Sequence, residues 1–293
     1  MYSGKILDYT TDALPIELKW FELDRPVYLA ESSQFYLEMR LLLEGVDKVF
    51  AIYNSFRKER ADFSHLAEFH HIEFEGKVDL GATCEIVLGL LRHIAAKLMR
   101  DAEEHLDYFL SPAEKESLPG LFDREMVQTI SFAEAMRLLL EDTGDRLYED
   151  ITLKSFGAWE EIRLTEILGK HVFVTEFPLY EIPFYHAERP TTASGGTEAA
   201  QVAMNADLIL FGYREAVGAG TRIVDPFEIR KKAEVFNLPF ADYEPYIRMR
   251  EYKNYVRTSG FGLGWERFVH WLLKMPTIWH AVHIPRGHIR PHP

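Results

Sequence analysis

An α+β domain, with an antiparallel sheet flanked by helices, is the fold class that the sequence predicts. Strand and helix patterns alternate along the 293 residues without settling into repeated βαβ units. Two strand-like runs joined by a short polar loop read as an antiparallel hairpin. Helical periods before and after them supply the layers that would cover a sheet.

The elements follow in order. Phe35, Met39, Leu42 and Leu43 recur at helical spacing between Glu31 and Gly45. Residues 46–56 read as one strand and residues 66–75 as a second, with the polar loop 58–64 between them. A long amphipathic helix is predicted over 80–105. Ser131 with Glu134 makes a capping-box start for a helix to about residue 140. Residues 159–168 read as a helix and 172–175 as a short buried strand. Residues 185–197, which include Ser194, Gly195 and Gly196, read as a mobile loop. Strand signals return over 207–213 and near Arg222. Pro226 opens a helix over 226–236, and a glycine-rich strand end leads into a last helix over 265–274.

Bulk composition narrows the class. No apolar run approaches the roughly 18 residues that span a bilayer, so no membrane partner is expected. The first residues lack a basic stretch followed by an apolar one, so no secretion signal is expected. A single cysteine, Cys84, excludes an intrachain disulfide and suits a reducing compartment, with the cytoplasm as the default. Cys84 itself reads as a core residue. Lys and Arg number 33 against 46 Asp and Glu, a net charge of −13. That balance counts against a large nucleic acid as the main partner, because neutralised phosphates supply most of such affinity.

The second strand is more informative. Phe69, His71, Glu73 and Glu75 share one parity, with His65 ahead of them, so one face is polar with an aromatic platform. A ring such as Phe69 can stack a flat base, and Arg57 could hold a phosphate. The alternative is the solvated face of a half-exposed sheet. Adjacent His70 and His71 point to opposite faces and cannot share a metal. Ser259-Gly260-Phe261-Gly262-Leu263-Gly264 then leads into Trp265-Glu266-Arg267. Glycines there let a backbone approach a ligand closely, and a helix N-terminus favours anions. Tight strand–helix packing explains the same glycines equally well. The histidine-rich end, from His283 to Pro293, reads as a plain tail, and Arg230-Lys231-Lys232 as a solvated helix face.

Taken together these segments are far more specific. Ser55-Phe56-Arg57-Lys58-Glu59 with His65-Leu66-Ala67-Glu68-Phe69 resembles motif 2 of the class II aminoacyl-tRNA synthetases. Gly260 to Arg267 resembles motif 3, and Ile284-Pro285-Arg286 resembles the closing segment. Glu31-Ser32-Ser33-Gln34-Phe35-Tyr36-Leu37-Glu38 resembles the asparaginyl version of the amino-acid-binding helix, whereas the aspartyl version has lysine at Leu37. Glu215 to Arg222 resembles the glycine-rich strand that reads the substrate side chain, and Pro183-Phe184-Tyr185 also matches. The resemblance implies a class II synthetase-like catalytic domain over 20–293, of the asparaginyl/aspartyl type, that uses ATP and Mg²⁺.

It also implies roles. Arg57 would hold the α-phosphate, and Phe69 with Arg267 would sandwich the adenine. Arg267 and His65 would lie near the β,γ-phosphates, Glu59 at the adenine amino group, and Gly264 beside the nucleotide. Glu215 would carry the metal. Arg57, Arg267 and Glu215 would be the catalytic set. Ser32, Gln34 and Glu73 would hold the α-amino group. Arg222 would bind the side-chain carbonyl of asparagine or aspartate, with Glu38 helping to recognise an amide.

The chain also departs from the family. Residues 1–19 do not resemble motif 1, so a homodimer would not use the usual motif 1 interface. The anticodon-binding domain that the family places ahead of the core has no counterpart, and the loop between Glu59 and His65 is short. These departures fall on tRNA handling. Three functions are therefore expected in order: an ATP-dependent ligase that activates asparagine or aspartate and passes it to a small amine or carrier; a truncated asparaginyl-tRNA synthetase that still charges tRNA; and a non-catalytic ATP-binding regulatory protein. Leu37 favours asparagine, since an apolar neighbour suits a neutral amide.

Overall fold

A computed structural model describes residues 16–18, 27–58, 63–190 and 201–286. Glu59, most of residues 1–19, the glycines at 195 and 196, and the tail beyond Arg286 lie outside the described residues. The strands are β1 (Glu17–Leu18), β2 (Val27–Tyr28), β3 (Lys48–Phe56), β4 (Glu68–Gly76), β5 (Val127–Ser131), β6 (His171–Thr175), β7 (Asn205–Ile209), β8 (Glu215–Thr221) and β9 (Ser259–Gly264). The helices are α1 (Gln34–Arg40), α2 (Leu80–Asp101), α3 (Glu103–Leu106), α4 (Pro112–Ser117), α5 (Phe132–Thr143), α6 (Ala158–Leu168), α7 (Pro226–Val235), α8 (Phe240–Arg248) and α9 (Trp265–Leu272).

β1 and β2 form a small antiparallel pair, and the other strands build one sheet in the order β3-β4-β9-β8-β7-β6-β5. Every neighbouring pair in it is antiparallel except β5–β6. The parallel pair is possible because α5 and α6 carry the chain back between its two strands, and parallel strands need such a crossover. The α+β expectation holds, with this parallel edge as the qualification.

Local chemistry explains the boundaries. The long helix begins at Asp79, whose side chain accepts from the Ala82 N–H at 2.7 Å. It stops at Asp101 instead of running on to 105, because Ala102 leaves helical geometry with φ −144°. Ser131 caps α5 by accepting from the Glu134 N–H at 3.2 Å. Asp225 caps α7, with Pro226 in its first turn. Several elements escape sequence patterning, namely β1, β2, α4, β5 and α8. β5 is five residues of mixed polarity. α8 carries Pro245 in its interior, a residue that argues against a helix.

The two sheet faces have different fates. One is covered by α2 and α9, which bury Val217, Ala219, Phe261 and Leu263 beneath Leu88, Leu91, Phe268 and Leu272. On the other face, α5 and α6 cover only the β5–β6 end, around Val172, Val174, Met136 and Leu164. A third cluster, from α7, α8 and the segment at Phe184 and Tyr185, packs Ile229, Tyr243 and Ile247. Between these two clusters the face over β4, β9 and β8 forms an open trough. The described start of the 185–197 stretch is not loose. Ala187 donates its N–H to Thr221 at 2.8 Å, and Ile223 donates to Tyr185 at 3.1 Å.

Phe268 is fully buried beside Phe122 and Trp271. Phe268→Ala should cost about 3–5 kcal/mol, combining lost transfer energy with a cavity. Urea denaturation should show a lower midpoint with an unchanged slope.

Candidate active site

Strand register sets the floor of the trough. One rung runs Glu73, Gly262, Gly218 and Asp207 across β4, β9, β8 and β7. Two residues away, another runs Glu75, Gly260, Gly220 and Asn205. Side chains repeat on one face every second residue, so the middle of this face is glycine and its rims carry carboxylates. At Gly260 the space is already filled: a Cβ would fall on the Glu75 carboxyl and the Phe74 carbonyl oxygen.

Two adjoining cavities, of 420 and 350 Å³, occupy the trough and share Arg57, His71, Glu215 and Gly262. The smaller is lined by Arg57, His65, Phe69, Gly264 and Arg267. The Arg57 guanidinium lies 5.4 Å from the Phe69 ring centroid. Arg267 donates to the Glu215 carbonyl at 2.9 Å, and its second terminal nitrogen lies 2.9 Å from His65 Nε2. Arg214, to which the sequence reading gave no role, also lines this cavity and donates to Ser64 Oγ at 2.7 Å.

Ser32, Gln34, Glu73 and Arg222 line the larger cavity. Ser32 Oγ donates to Glu73 at 2.5 Å, while the N–H and Oγ of Ser33 both donate to its other oxygen at 3.0 Å. The start of α1 is thereby pinned to β4. Arg222 is buried and donates to Glu75 through both Nε and a terminal nitrogen. Glu38 lies behind it, 3.7 Å from Nε. The Glu38 carboxylate is itself held by Tyr246 at 2.8 Å, Arg250 at 3.1 Å and Gln34 at 3.0 Å. Glu38 therefore sits one layer back from the cavity and bears on it through Arg222.

Burial works against the Arg222 charge, yet Glu75 and Glu38 hold its pKa above the usual arginine value. Burial pushes the Glu75 carboxyl up to about 8, with Glu38 and Glu73 adding to the rise and Arg222 opposing it. His71 is mostly buried, with Nδ1 2.7 Å from Ser55 Oγ. Burial, with Arg57 and then Arg267 nearby, lowers its pKa to about 3. His70 turns to the opposite face, where its N–H and ring meet Glu266 at 2.8 and 2.5 Å.

Glu215 and Asp207 flank Gly218. Glu215 Oε1 and Asp207 Oδ1 lie 3.1 and 3.7 Å from where a Cβ on Gly218 would sit. Two hard oxygen donors in one cavity fit Mg²⁺, which keeps several waters and takes phosphate oxygens as its other ligands. Among the described residues there is no cluster of three or more His, Cys, Asp or Glu suited to hold a metal by itself.

Asp207, His71, Glu75 and His186 join the trough without any role that the motifs assign to them. His71 and Glu75 were on the polar face by parity, but Asp207 joins them only through its pairing with Gly218. The reading of Lys232 as solvated is corrected. It is 3% exposed and donates to the His186 carbonyl at 2.6 Å. Its neighbour Arg230 pairs with Glu251 at 2.7 Å. Cys84 packs, partly buried, against the main core as expected.

A largely antiparallel sheet bearing two arginines, a ring and a carboxylate rim over glycines defines the catalytic domain of a class II tRNA synthetase. Residues 8–288 match the family described as tRNA synthetases class II (D, K and N), and the chain belongs to that family. It is 30% identical over 269 residues to the asparagine–tRNA ligase of Thermoplasma acidophilum, covering 89% of this chain and 57% of that one. The asparagine–tRNA ligase of Pyrococcus horikoshii is 30% identical over 280 residues, covering 94% and 60%. The crystal structure of that asparaginyl-tRNA synthetase complexed with asparaginyl-adenylate superposes with a TM-score of 0.82, covering 97% of this chain and 61% of that one. The asparaginyl-tRNA synthetase of Entamoeba histolytica shares the fold at 23% identity, with a TM-score of 0.77. The chain thus spans about three fifths of the length of these curated relatives.

The His71 shift has a sign that can be tested. A basic group whose folded pKa is lowered adds stability above its ordinary value of 6.5, and that stability is lost as pH falls toward 3. His71→Gln should flatten the acid limb of stability against pH by up to one proton, about 1.4 kcal/mol per pH unit. Denaturant titrations between those pH values measure it.

Proposed function

We propose that this domain activates asparagine, with aspartate as its competitor, by joining the amino-acid carboxylate to the α-phosphorus of ATP. A carboxylate oxygen forms the new bond, the bond from that phosphorus to the bridging oxygen breaks, and pyrophosphate leaves. The observation that carries the reading is the meeting of two cavities at Arg57. One holds Phe69, His65 and Arg267; the other holds Ser32, Glu73 and Arg222.

In this reading Phe69 and Arg267 sandwich the adenine, and His65 with Arg267 receives the β,γ-phosphates beside Gly264. Glu59, outside the described residues, is assigned to the adenine amino group on the resemblance alone. Arg57 reaches both cavities and holds the α-phosphate, where charge grows during attack. Glu73 takes the α-amino group, with Ser32 and Gln34 beside it. Arg222 takes the side-chain oxygen, backed by Glu38. Glu215, with Asp207, would hold Mg²⁺, which when bound draws charge from the phosphate oxygens. No step needs a protein nucleophile. The residues position two substrates and stabilise charge.

For the acceptor we propose a small amine or a carrier in the cytoplasm, on the acidic balance of the chain and the short loop after Glu59. A second reading is charging of tRNA, favoured by relatives that are asparagine–tRNA ligases. No described helix is long and apolar enough to cross a membrane.

Pyrophosphate exchange across the twenty amino acids tests activation, with asparagine expected to give the strongest signal. Exchange with none of them would remove the reading. Arg57→Ala should lower the exchange rate by about 10²–10³, the usual loss when a charge-stabilising donor is removed. Phe69→Ala should instead raise the KM for ATP by about tenfold, the scale of one lost base–aromatic stack. Adding total tRNA or candidate amines to pyrophosphate-release assays then separates the two acceptor readings.

A further inference from the structure

The smaller cavity carries a surplus of positive charge in a chain whose net charge is −13. Arg57, Arg214 and Arg267 line it, against the carboxylates of Glu215 and Glu266. Glu266 is already taken up by His70, which meets it through both its N–H and its ring. A cleft lined with one sign of charge attracts a ligand of the other. Arg57 and Arg267 have places in the proposed nucleotide site, and Arg214 has none.

Arg214 stands immediately ahead of β8, and its side chain is 14% exposed. Two partners fix its guanidinium. Nε lies 3.3 Å from Glu161 Oε2, an oxygen that also accepts from the Glu215 N–H at 3.0 Å. One terminal nitrogen, Nη1, donates to Ser64 Oγ at 2.7 Å. The other, Nη2, has no hydrogen-bond partner among the described residues, yet it is not one of the fully enclosed atoms that lack one. It therefore keeps accessible surface. A guanidinium carries five N–H donors in a rigid fork that matches a phosphate. Here the unused arm is held in place before any ligand arrives.

Ser64 fixes where that arm lies. Arg267 Nε meets the Ser64 carbonyl at 3.4 Å, so two arginines converge on the residue next to His65. Arg57 lines both cavities, whereas Arg214, Arg267 and His65 line only the smaller. A nucleotide with its α-phosphorus at Arg57 and its outer phosphates at His65 and Arg267 brings those phosphates to Arg214. We propose that Arg214 binds the outer phosphates of the nucleotide and so selects a triphosphate over a monophosphate, with Ser64 and Glu161 as the residues positioning it. The inference rests on the proposed ATP site and adds a third arginine that the motifs do not assign.

Calorimetric titration of the full chain with a non-hydrolysable ATP analogue and Mg²⁺, and with AMP by competition, tests it. Arg214→Met should weaken the analogue by about 10–100-fold, the scale of a lost hydrogen bond to a charged group. AMP affinity should stay unchanged. Arg214→Lys keeps a charge beside Glu161 but not the fork. It should bind the analogue more weakly than the wild type and more tightly than Arg214→Met, and it decides the matter if Arg214→Met does not fold. Ser64→Ala and Glu161→Gln, which loosen the fork, should show smaller losses, again for the analogue alone. Wild-type affinity for the analogue in Arg214→Met would overturn the proposal. Equal losses for the analogue and AMP would also overturn it, since they would make Arg214 a strap between Ser64 and Glu161 and nothing more. Binding is read without turnover. A wild type that binds the analogue but exchanges no pyrophosphate would therefore sink the activation reading and leave this one standing.

Discussion

The structure depends on one constraint: a stripe without side chains across the middle of a sheet. Gly262 and Gly264 on β9 and Gly218 on β8 leave a strip of open floor, so a ligand can lie against backbone between rims of side chains, while Glu75 and the His186 ring fill the space over Gly260 and Gly220. The same two strands are packed tightly on their other face, where Phe261, Leu263, Val217 and Ala219 are buried. Strand alternation lets one stretch of chain serve both ends, a rigid core below and an open floor above. Everything that bears charge must then enter from the edges. β4 brings Phe69, His71, Glu73 and Glu75, β7 brings Asp207, and α9 brings Arg267.

Charge balance governs the deeper end. Glu38, Glu75, Arg222 and Arg250 are all nearly fully buried and pair with one another. Taking ionised groups out of water is costly, and their mutual attraction offsets that cost only while the set is complete. Such a network contributes little net stability but sets geometry well. It holds the Arg222 guanidinium at one place in the cavity, backed by Glu75 and by the Glu38 carboxylate that Tyr246 and Tyr255 also support. Glu73 is treated differently. It is satisfied by neutral donors from Ser32 and Ser33, so its charge faces the cavity without a fixed cation against it.

Much of this was legible in the chain. Hydrophobic period located the β3–β4 hairpin, α2, α5, α6, α7 and α9 to within a few residues. Parity put His71, Glu73 and Glu75 on one face before any pairing was known. What stayed hidden was hidden for physical reasons. β5 is too short and too polar to show a period, and Pro245 disguises α8. Asp207 looks like an ordinary strand residue until its partner strand is known. Lys232 looked solvated because charge predicts exposure on average, and only the His186 carbonyl beneath it shows otherwise.

By itself, then, the sequence determined the local periods, the alternation on β4, the glycine spacing on β8 and β9, and the motifs that tie the chain to its family. These are properties of neighbours along the chain, fixed by backbone geometry over a few residues. Tertiary structure alone decided which carboxylates share a cavity, that Glu38 stands behind Arg222 and not in the cavity wall, and that His186 lies over Gly220. Those facts depend on register between strands and on packing between residues far apart in the chain, such as Glu75 with Arg222, 147 positions away. No local propensity encodes such pairings.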